Sequence, residues 1–424
     1  MHGYYTYPTV GQVRARKPRI AVVTQGVKLG DETRGYTRFR FLSEMLVREG
    51  MDVDLITSTY QHWDKAQRDT TKECYQGLPY RIRFVYEPGY KRNLDLGRIN
   101  SHRVFARNLR GFFASRFADS PHAYDLIYSE IPPNDMALAC AEVAQAHHIP
   151  YVADVNDLWP EAMRMALDIP VLSDVAFAPF SRDAHKTYQL IAAAVGTSDE
   201  YANRPAADRE EPYEKRTVYV GNQLSHFDEG ARACAGDVVK PDDEIWVVYA
   251  GMLGASYDIA TLVDASVIAG AIDPRIRVKL LGDGPDRAAL EKRARDLDAP
   301  VDFLGYAPYE LMAAYLCASD ITVNSLVKSA AQSIVTKIGD YLAAGIPLIN
   351  TGSSPEFRAK VEADGFGVNV EAEDSEALAY AILMLAIDPE LRADMGRRGR
   401  AIAESQFDQE QSYRTIVELI RSLI

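Results

Sequence analysis

Cysteine is scarce and scattered. The four cysteines, Cys74, Cys140, Cys234 and Cys317, make no CxxC pair and sit near no histidine cluster. That excludes a zinc ligand set and a disulfide framework, and leads us to expect reduced core thiols. Long apolar runs are also missing. No stretch reaches the ~18 residues that a membrane span needs, and the opening MHGYYTYPTVGQVRARKPR has no apolar segment of signal-peptide length. The expected setting is cytoplasmic, at most peripheral to a membrane. Positive charge is short as well: 47 Lys and Arg face 60 Asp and Glu, for a net charge of -13. Such a field repels phosphate polymers, so no nucleic-acid partner is expected. Any phosphate on a small ligand must be met by local groups.

What is present is a globular composition. The 424 residues are 47% hydrophobic and 25% charged, enough for two or three domains with real cores. One stretch runs against the acidic whole. Between Tyr90 and Arg116 stand Lys91, Arg92, Arg98, Arg103, Arg107, Arg110 and Arg116. It reads first as a solvated basic helix face, and second as a contact for anionic lipid or an acceptor phosphate.

Short β-branched runs alternate with helical periodicity. Arg19–Thr24 reads as a strand, a helix carries Phe39, Leu42, Leu46 and Val47, Gly50 stops it, and Asp52–Thr57 is the next strand. Further strands are expected at 125–128, 150–155 and 192–197, with a helix over 135–147. Residues 202–240 are polar and rich in turn formers, and read as a linker. A second series follows, with strands at 246–250, 277–281, 301–304, 321–324 and 347–350. Strand–helix alternation implies parallel sheets covered on both faces. Two series imply two doubly wound domains, residues 1–225 and 226–405, with a terminal helix in 406–424. Ligands of such sheets bind outside the strand C-termini.

The stretch QSIVTKIGDYLAAGIPLINTG, residues 332–352, carries the chemistry. Ile334, Ile338, Tyr341 and Leu342 make one apolar face, so a helix is expected from about Ile334 to Ala344, closed by Gly345 and Pro347. Its N-terminus would offer unpaired amides and about half a positive charge, which suits a phosphate. Lys328 and Lys337 add full charges. The plainer reading is a capped, solvated helix end.

The run Asp340-Tyr-Leu-Ala-Ala-Gly-Ile-Pro-Leu348 resembles the segment that the second glutamate opens in retaining GT-B glycosyltransferases of family 4, the glycosyl transferases group 1, with Asp340 in that glutamate's place. Gln332, eight residues earlier, stands where that family has its first glutamate. The resemblance extends to Tyr249-Ala-Gly-Met-Leu-Gly-Ala-Ser-Tyr-Asp258, where Met252 replaces an arginine and the usual lysine is missing. It includes the turns at Gly282-Asp-Gly-Pro285 and Leu304-Gly-Tyr306, and Asp154-Val-Asn-Asp-Leu-Trp-Pro160. The GxLGxSYD and DLWP segments are similar to those of a bacterial polysaccharide-assembly subgroup. Asn156 falls where many members have an active-site histidine.

The resemblance implies an α/β fold of GT-B type and a donor site made by Gly251, Gly254, Gly282, Gly305, Tyr306, Lys328, Ser333, Ile334, Thr336 and Asp340. In it Asp340 holds the nucleotide ribose and Gln332 lies beside the donor sugar. Asn156, Asp157, Gln332 and Lys337 are the candidate catalytic residues, with Glu161 as a further orienting group. It implies transfer of a sugar from a UDP- or GDP-sugar to a glycan or lipid-linked acceptor, with retention, in cell-surface polysaccharide or glycolipid synthesis. No cofactor and no metal is expected. Asp154 and Asp157 read as a strand-end capping pair rather than a divalent site. No spacing singles out a histidine among His102, His122, His147 and His148. Three alternatives stay open: a sugar-nucleotide 2-epimerase of the same fold, a glycan phosphorylase, and a non-catalytic partner subunit.

Overall fold

The computed structural model describes residues 16–93, 95–164, 172–330 and 334–424. Gln332 and Ser333 lie outside the described residues. The chain forms two lobes, each around one parallel sheet. In the first, β1 (Arg19–Val23), β2 (Asp52–Ser58), β5 (Arg81–Val85), β6 (Leu126–Ile131), β7 (Tyr151–Val155), β8 (Ala193–Gly196) and β9 (Glu214–Thr217) run in the order β5-β2-β1-β6-β7-β8-β9. A small hairpin of β3 (Tyr60–Gln61) and β4 (Ala66–Gln67) stands apart from this sheet. The second lobe orders β10 (Ile245–Ala250), β11 (Ile276–Leu281), β12 (Val301–Gly305), β13 (Ile321–Asn324), β14 (Leu348–Asn350) and β15 (Gly367–Asn369) as β12-β11-β10-β13-β14-β15.

The period-2 rule explains why both sheets are covered twice. In β1, Ala21 and Val23 face Phe105, Phe113, Met136 and Cys140. Ile20 and Val22 face the other way, onto Leu42, Leu46 and Ile420. In β10, Val247 and Tyr249 face Leu262 and Ile382, while Val248 and Ala250 face Phe227, Leu316 and Tyr341. The basic stretch is the helix Leu96–Asp119, where Phe105, Leu109, Phe113 and Phe117 bury one side and leave Arg103 and Arg107 exposed.

The expected linker is largely regular structure. Residues 202–240 contain β9 and the helix Leu224–Ala233, whose Phe227 packs into the second lobe. The polar composition reflects an edge strand and a half-exposed helix rather than open chain. The chain crosses between lobes at 218–223 and crosses back near 407–409. There the Asn222 amide donates to the Phe407 carbonyl at 3.0 Å and the Gln409 amide to the Asn222 carbonyl at 2.9 Å. The helix Arg414–Leu423 then packs on the first lobe through Ile416, Val417 and Ile420. Cysteine burial also differs from expectation: all four are free, Cys140 is in the core, and Cys74 and Cys317 are exposed.

Arg38 ties the crossing together. It makes a two-pronged ion pair with Asp154, at 2.8 and 3.0 Å, and both side chains are buried. It also donates to the carbonyls of Val218 and Tyr219 and to the Tyr413 hydroxyl. Tyr128 donates to the same carboxylate at 2.7 Å. Asp154 is therefore a locked internal group and not half of a capping pair.

Candidate functional site

The strand C-termini of the second lobe meet at glycines. The Gly251 amide donates to the Leu281 carbonyl at 2.9 Å, and that of Gly282 to the Gly305 carbonyl at 2.7 Å. A Cβ on Gly282 would lie 1.8 Å from the Gly251 carbonyl oxygen, so only glycine lets β10 and β11 end this close. A Cβ on Gly251 would lie 2.6 Å from the Lys337 Nζ. That glycine keeps the strand end open for the lysine. Gly254 stands one turn on, against Met252, and Tyr306 is exposed just beyond Gly305.

Lys337 reaches this opening from below the helix Ile338–Ala343. Its Nζ donates to the Tyr249 hydroxyl at 3.0 Å, and lies 4.1 Å from the Tyr249 ring centroid and 4.0 Å from that of Tyr257. Burial alone holds its ammonium well below the usual lysine range. No ion pair among the described residues involves it. Two tyrosine faces and a hydroxyl are a poor substitute for an anion.

The expected helix is shorter than its periodicity suggested. It starts at Ile338 rather than near Ile334, and residues 334–337 form a bend and turn. Three β-branched residues in a row, Ile334, Val335 and Thr336, disfavour a helical start. Ile334 packs instead against the cluster of Ile338, Tyr341 and Phe227, and Thr336 is exposed. The amides before Lys337 thus belong to a turn and not to a first helical turn. Lys328 is exposed, its own amide taken by the Glu373 carboxylate at 3.0 Å. Asp340 turns toward the crossing segment: its Oδ1 accepts from Asn222 and from the Tyr309 hydroxyl, both at 2.7 Å. Burial raises its carboxyl, and these two donors oppose that rise.

The first lobe carries a cavity of about 750 Å³ at the ends of β1, β6 and β7. Asn156 and Asp157 both line it. Asn156 donates to the Asp154 carbonyl at 2.9 Å. Asp157 accepts from the Leu158 amide at 2.8 Å and the Trp159 indole at 3.1 Å, and burial raises its carboxyl. Reasoning from sequence missed Tyr36, Trp63, Tyr90 and Glu130 in this lining, while Arg98 was read only within the basic stretch and Trp159 only within the DLWP segment. Glu130 is the sharpest omission. One of its oxygens accepts from the Gln25 and Gly26 amides, the latter at 3.1 Å, and burial pushes the carboxyl up to about 7. The signal was available, because Glu130 stands next to the end of a central strand, but that strand was expected to stop at Tyr128. His102, not singled out before, is also buried in this wall and held neutral by burial and the nearby Arg98.

The two lobes come within electrostatic range at Tyr36. Burial pushes its phenol up to about 12, the acids Asp157 and Glu130 add to this, and so does Tyr257 from the second lobe. Tyr257 is the ring beside Lys337. Among the described residues, no group of three or more His, Cys, Asp and Glu converges as a metal ligand set.

Residues 244–388 match the family model described as Glycosyl transferases group 1. The "Lipopolysaccharide core biosynthesis glycosyltransferase LpsE" of Rhizobium meliloti is 30% identical over 215 residues, covering 49% of this chain and 59% of that protein. A "GDP-mannose-dependent monoacylated alpha-(1-6)-phosphatidylinositol monomannoside mannosyltransferase" of Corynebacterium glutamicum is 28% identical over 158 residues, covering 36% of this chain and 40% of that protein. The chain thus spans about half the length of the curated relatives it matches. Among solved structures, a sucrose-phosphate synthase from Thermosynechococcus elongatus shares the two-lobed fold, with TM-score 0.68 and 19% identity over 96% of this chain and 99% of that one.

Proposed function

We propose that this chain, whose residues 244–388 carry a glycosyl transferases group 1 domain on a GT-B frame, transfers a sugar from a nucleotide-diphosphate donor to a hydroxyl of a glycan or lipid-linked acceptor. The observation that carries the reading is Lys337. A partly buried amine with no ion pair among the described residues stands at glycine-lined strand ends, where α/β sheets bind their ligands. A diphosphate placed there gives the ammonium its missing partner.

The chemistry follows from charge. As the bond to the anomeric carbon breaks, positive charge builds on the sugar and negative charge on the departing diphosphate. A preorganised cation in a dry site stabilises that departure most. Lys337 takes this role in the proposal. Because neutralisation is assigned to an amine, EDTA should leave turnover unchanged. The proposal further holds that transfer retains configuration, that the donor is a UDP- or GDP-sugar, and that the product enters cell-surface polysaccharide or glycolipid. The names of the two curated relatives support this. The same reading assigns the chain to the bacterial polysaccharide-assembly subgroup, a step supported by the resemblance of its DLWP and GxLGxSYD segments. The aromatic cavity of the first lobe receives the acceptor, and the exposed Arg103 and Arg107 face offers a peripheral contact with an anionic leaflet.

A thermal-shift panel of UDP- and GDP-sugars tests the claim. A cognate donor at ~100 times its dissociation constant should add about 2.7 kcal/mol of stability, and Lys337→Met should abolish the shift. Silence across the panel rejects the function. Isomerised sugar from donor alone would select the epimerase instead.

A further inference from the structure

The first-lobe cavity contains a cation that makes no ion pair among the described residues. Arg98 lies in the first turn of the helix Leu96–Asp119 and lines the cavity. Its guanidinium carbon is 4.7 Å from the Trp159 ring centroid and 5.5 Å from that of Tyr90. One nitrogen donates to the Asn93 carbonyl at 3.1 Å, while its Nε is buried with no hydrogen-bond partner among the described residues. Farther along the same helix, Arg110 pairs with Glu142 and Arg116 reaches Asp54. Arg98 enters no ion pair among the described residues. Lys65 stands behind it, 5.0 Å from the Tyr90 ring, its ammonium held by the His62 carbonyl and by no described carboxylate.

Four acids line the same cavity, and each is already engaged. Asp95 accepts from the Gly97 amide at 2.9 Å. Glu130 is held by the Gln25 and Gly26 amides. Glu87 accepts from Gln25 at 3.1 Å and Ser101 at 2.7 Å. Asp157 is held by the Leu158 amide and the Trp159 indole. Burial raises the carboxyls of Glu87, Glu130 and Asp157, which favours their uncharged forms. The same surroundings lower His62 to about 3 and lower Lys65, because burial and the neighbouring cations act together with no anion to offset them.

We propose that Arg98, backed by Lys65, binds an oxyanion carried by the acceptor: the carboxylate of an acidic sugar, or the diphosphate that joins a glycan to a lipid carrier. This rests on the acceptor reading of the cavity given above. The ring faces of Trp63 and Trp159 hold the apolar side of the acceptor. The planar guanidinium fork fits two oxygens of an oxyanion. A neutral analogue leaves that fork unmet, so the contact sets specificity.

Two of the three tryptophans, Trp63 and Trp159, line the cavity, so intrinsic fluorescence reports its occupancy. The probes are glucuronate against glucose, and geranyl diphosphate against geraniol. In at least one pair the anion should bind about tenfold or more tighter than its neutral partner. Arg98→Gln should remove that preference, Arg98→Lys should keep part of it, and Arg107→Gln, exposed on the same helix, should leave it intact. Preference for glucuronate assigns a sugar carboxylate; preference for geranyl diphosphate assigns a lipid diphosphate. Equal or absent quenching by all four probes with the unaltered protein overturns the proposal, whether or not Arg98→Gln folds. So does a preference that survives in Arg98→Gln but vanishes in Lys337→Met, which places the anion in the second lobe. Anion preference without nucleotide-sugar binding keeps this inference and removes the function above; the reverse result does the opposite.

Discussion

The first lobe buries Arg38 and the second partly buries Lys337, and the two cations are treated in opposite ways. Arg38 has a carboxylate clamped across it, two carbonyls, a phenol and a ring face. Lys337 has one hydroxyl and two rings. A buried charge with every donor met belongs to the architecture, since removing one partner strands the other. A buried charge left short of partners is costly in the empty protein, and its cost is relieved only when an anion arrives. The contrast separates scaffold from site without reference to any relative.

Breaking the satisfied member should do the most harm. Arg38→Met leaves Asp154 alone in the interior and should lower stability by about 3–5 kcal/mol, read from denaturant unfolding of the whole chain. If Arg38→Met unfolds like the unaltered protein, the contrast fails. Lys337→Met should act the other way round. It should leave the unfolding midpoint unchanged or higher, yet reduce turnover by roughly 10²–10³-fold. The proton count sharpens this. The folded free protein holds Lys337 below its unfolded value, so above that depressed value the unfolded chain binds more protons, and stability rises with pH toward 10.5. A bound diphosphate restores the ammonium, so calorimetry in two buffers should record proton uptake on donor binding, absent in Lys337→Met.

Glu130 gives the next effect. Its folded carboxyl, at about 7, lies above its ordinary 4.5. Its contribution is therefore full below 4.5 and lost as pH climbs through 7. Glu130→Gln should remove a decline on the order of 3 kcal/mol between those limits, seen by comparing melting curves across pH. An unchanged pH profile would show that Glu130 does not titrate there. The smallest effect belongs to Tyr306, 76% exposed beyond Gly305. Tyr306→Ala should keep stability within about 0.5 kcal/mol and raise the donor KM modestly, through loss of a ring face for the base.

The second lobe was the more legible one. Its candidate site is built from glycines and one lysine in a contiguous order of turns, and the close backbone approach at Gly282 demands glycine. The alternation of strands and helices was equally plain, because fully buried parallel strands read as apolar runs in both lobes. The first-lobe cavity was not legible for a physical reason. Tyr36, Trp63, Arg98 and Trp159 come from four separate connections, and each reads locally as an ordinary loop aromatic or helix cation. Their convergence exists only after the sheet is assembled. The start of the helix at Ile338 was missed because apolar periodicity continues through Ile334, although three successive β-branched residues argued against a helix there.

The return of the last helix to the first lobe has a consequence for how the molecule is made. Ile416, Val417 and Ile420 fill the same cluster as Val22 and Leu46, yet leave the ribosome almost four hundred residues later. The first lobe must wait, with that apolar surface bare, until the second has been translated. A chain stalled or clipped near residue 410 would present a finished second lobe beside an unfinished first one, and chaperone dependence during synthesis should fall on the lobe that is born first.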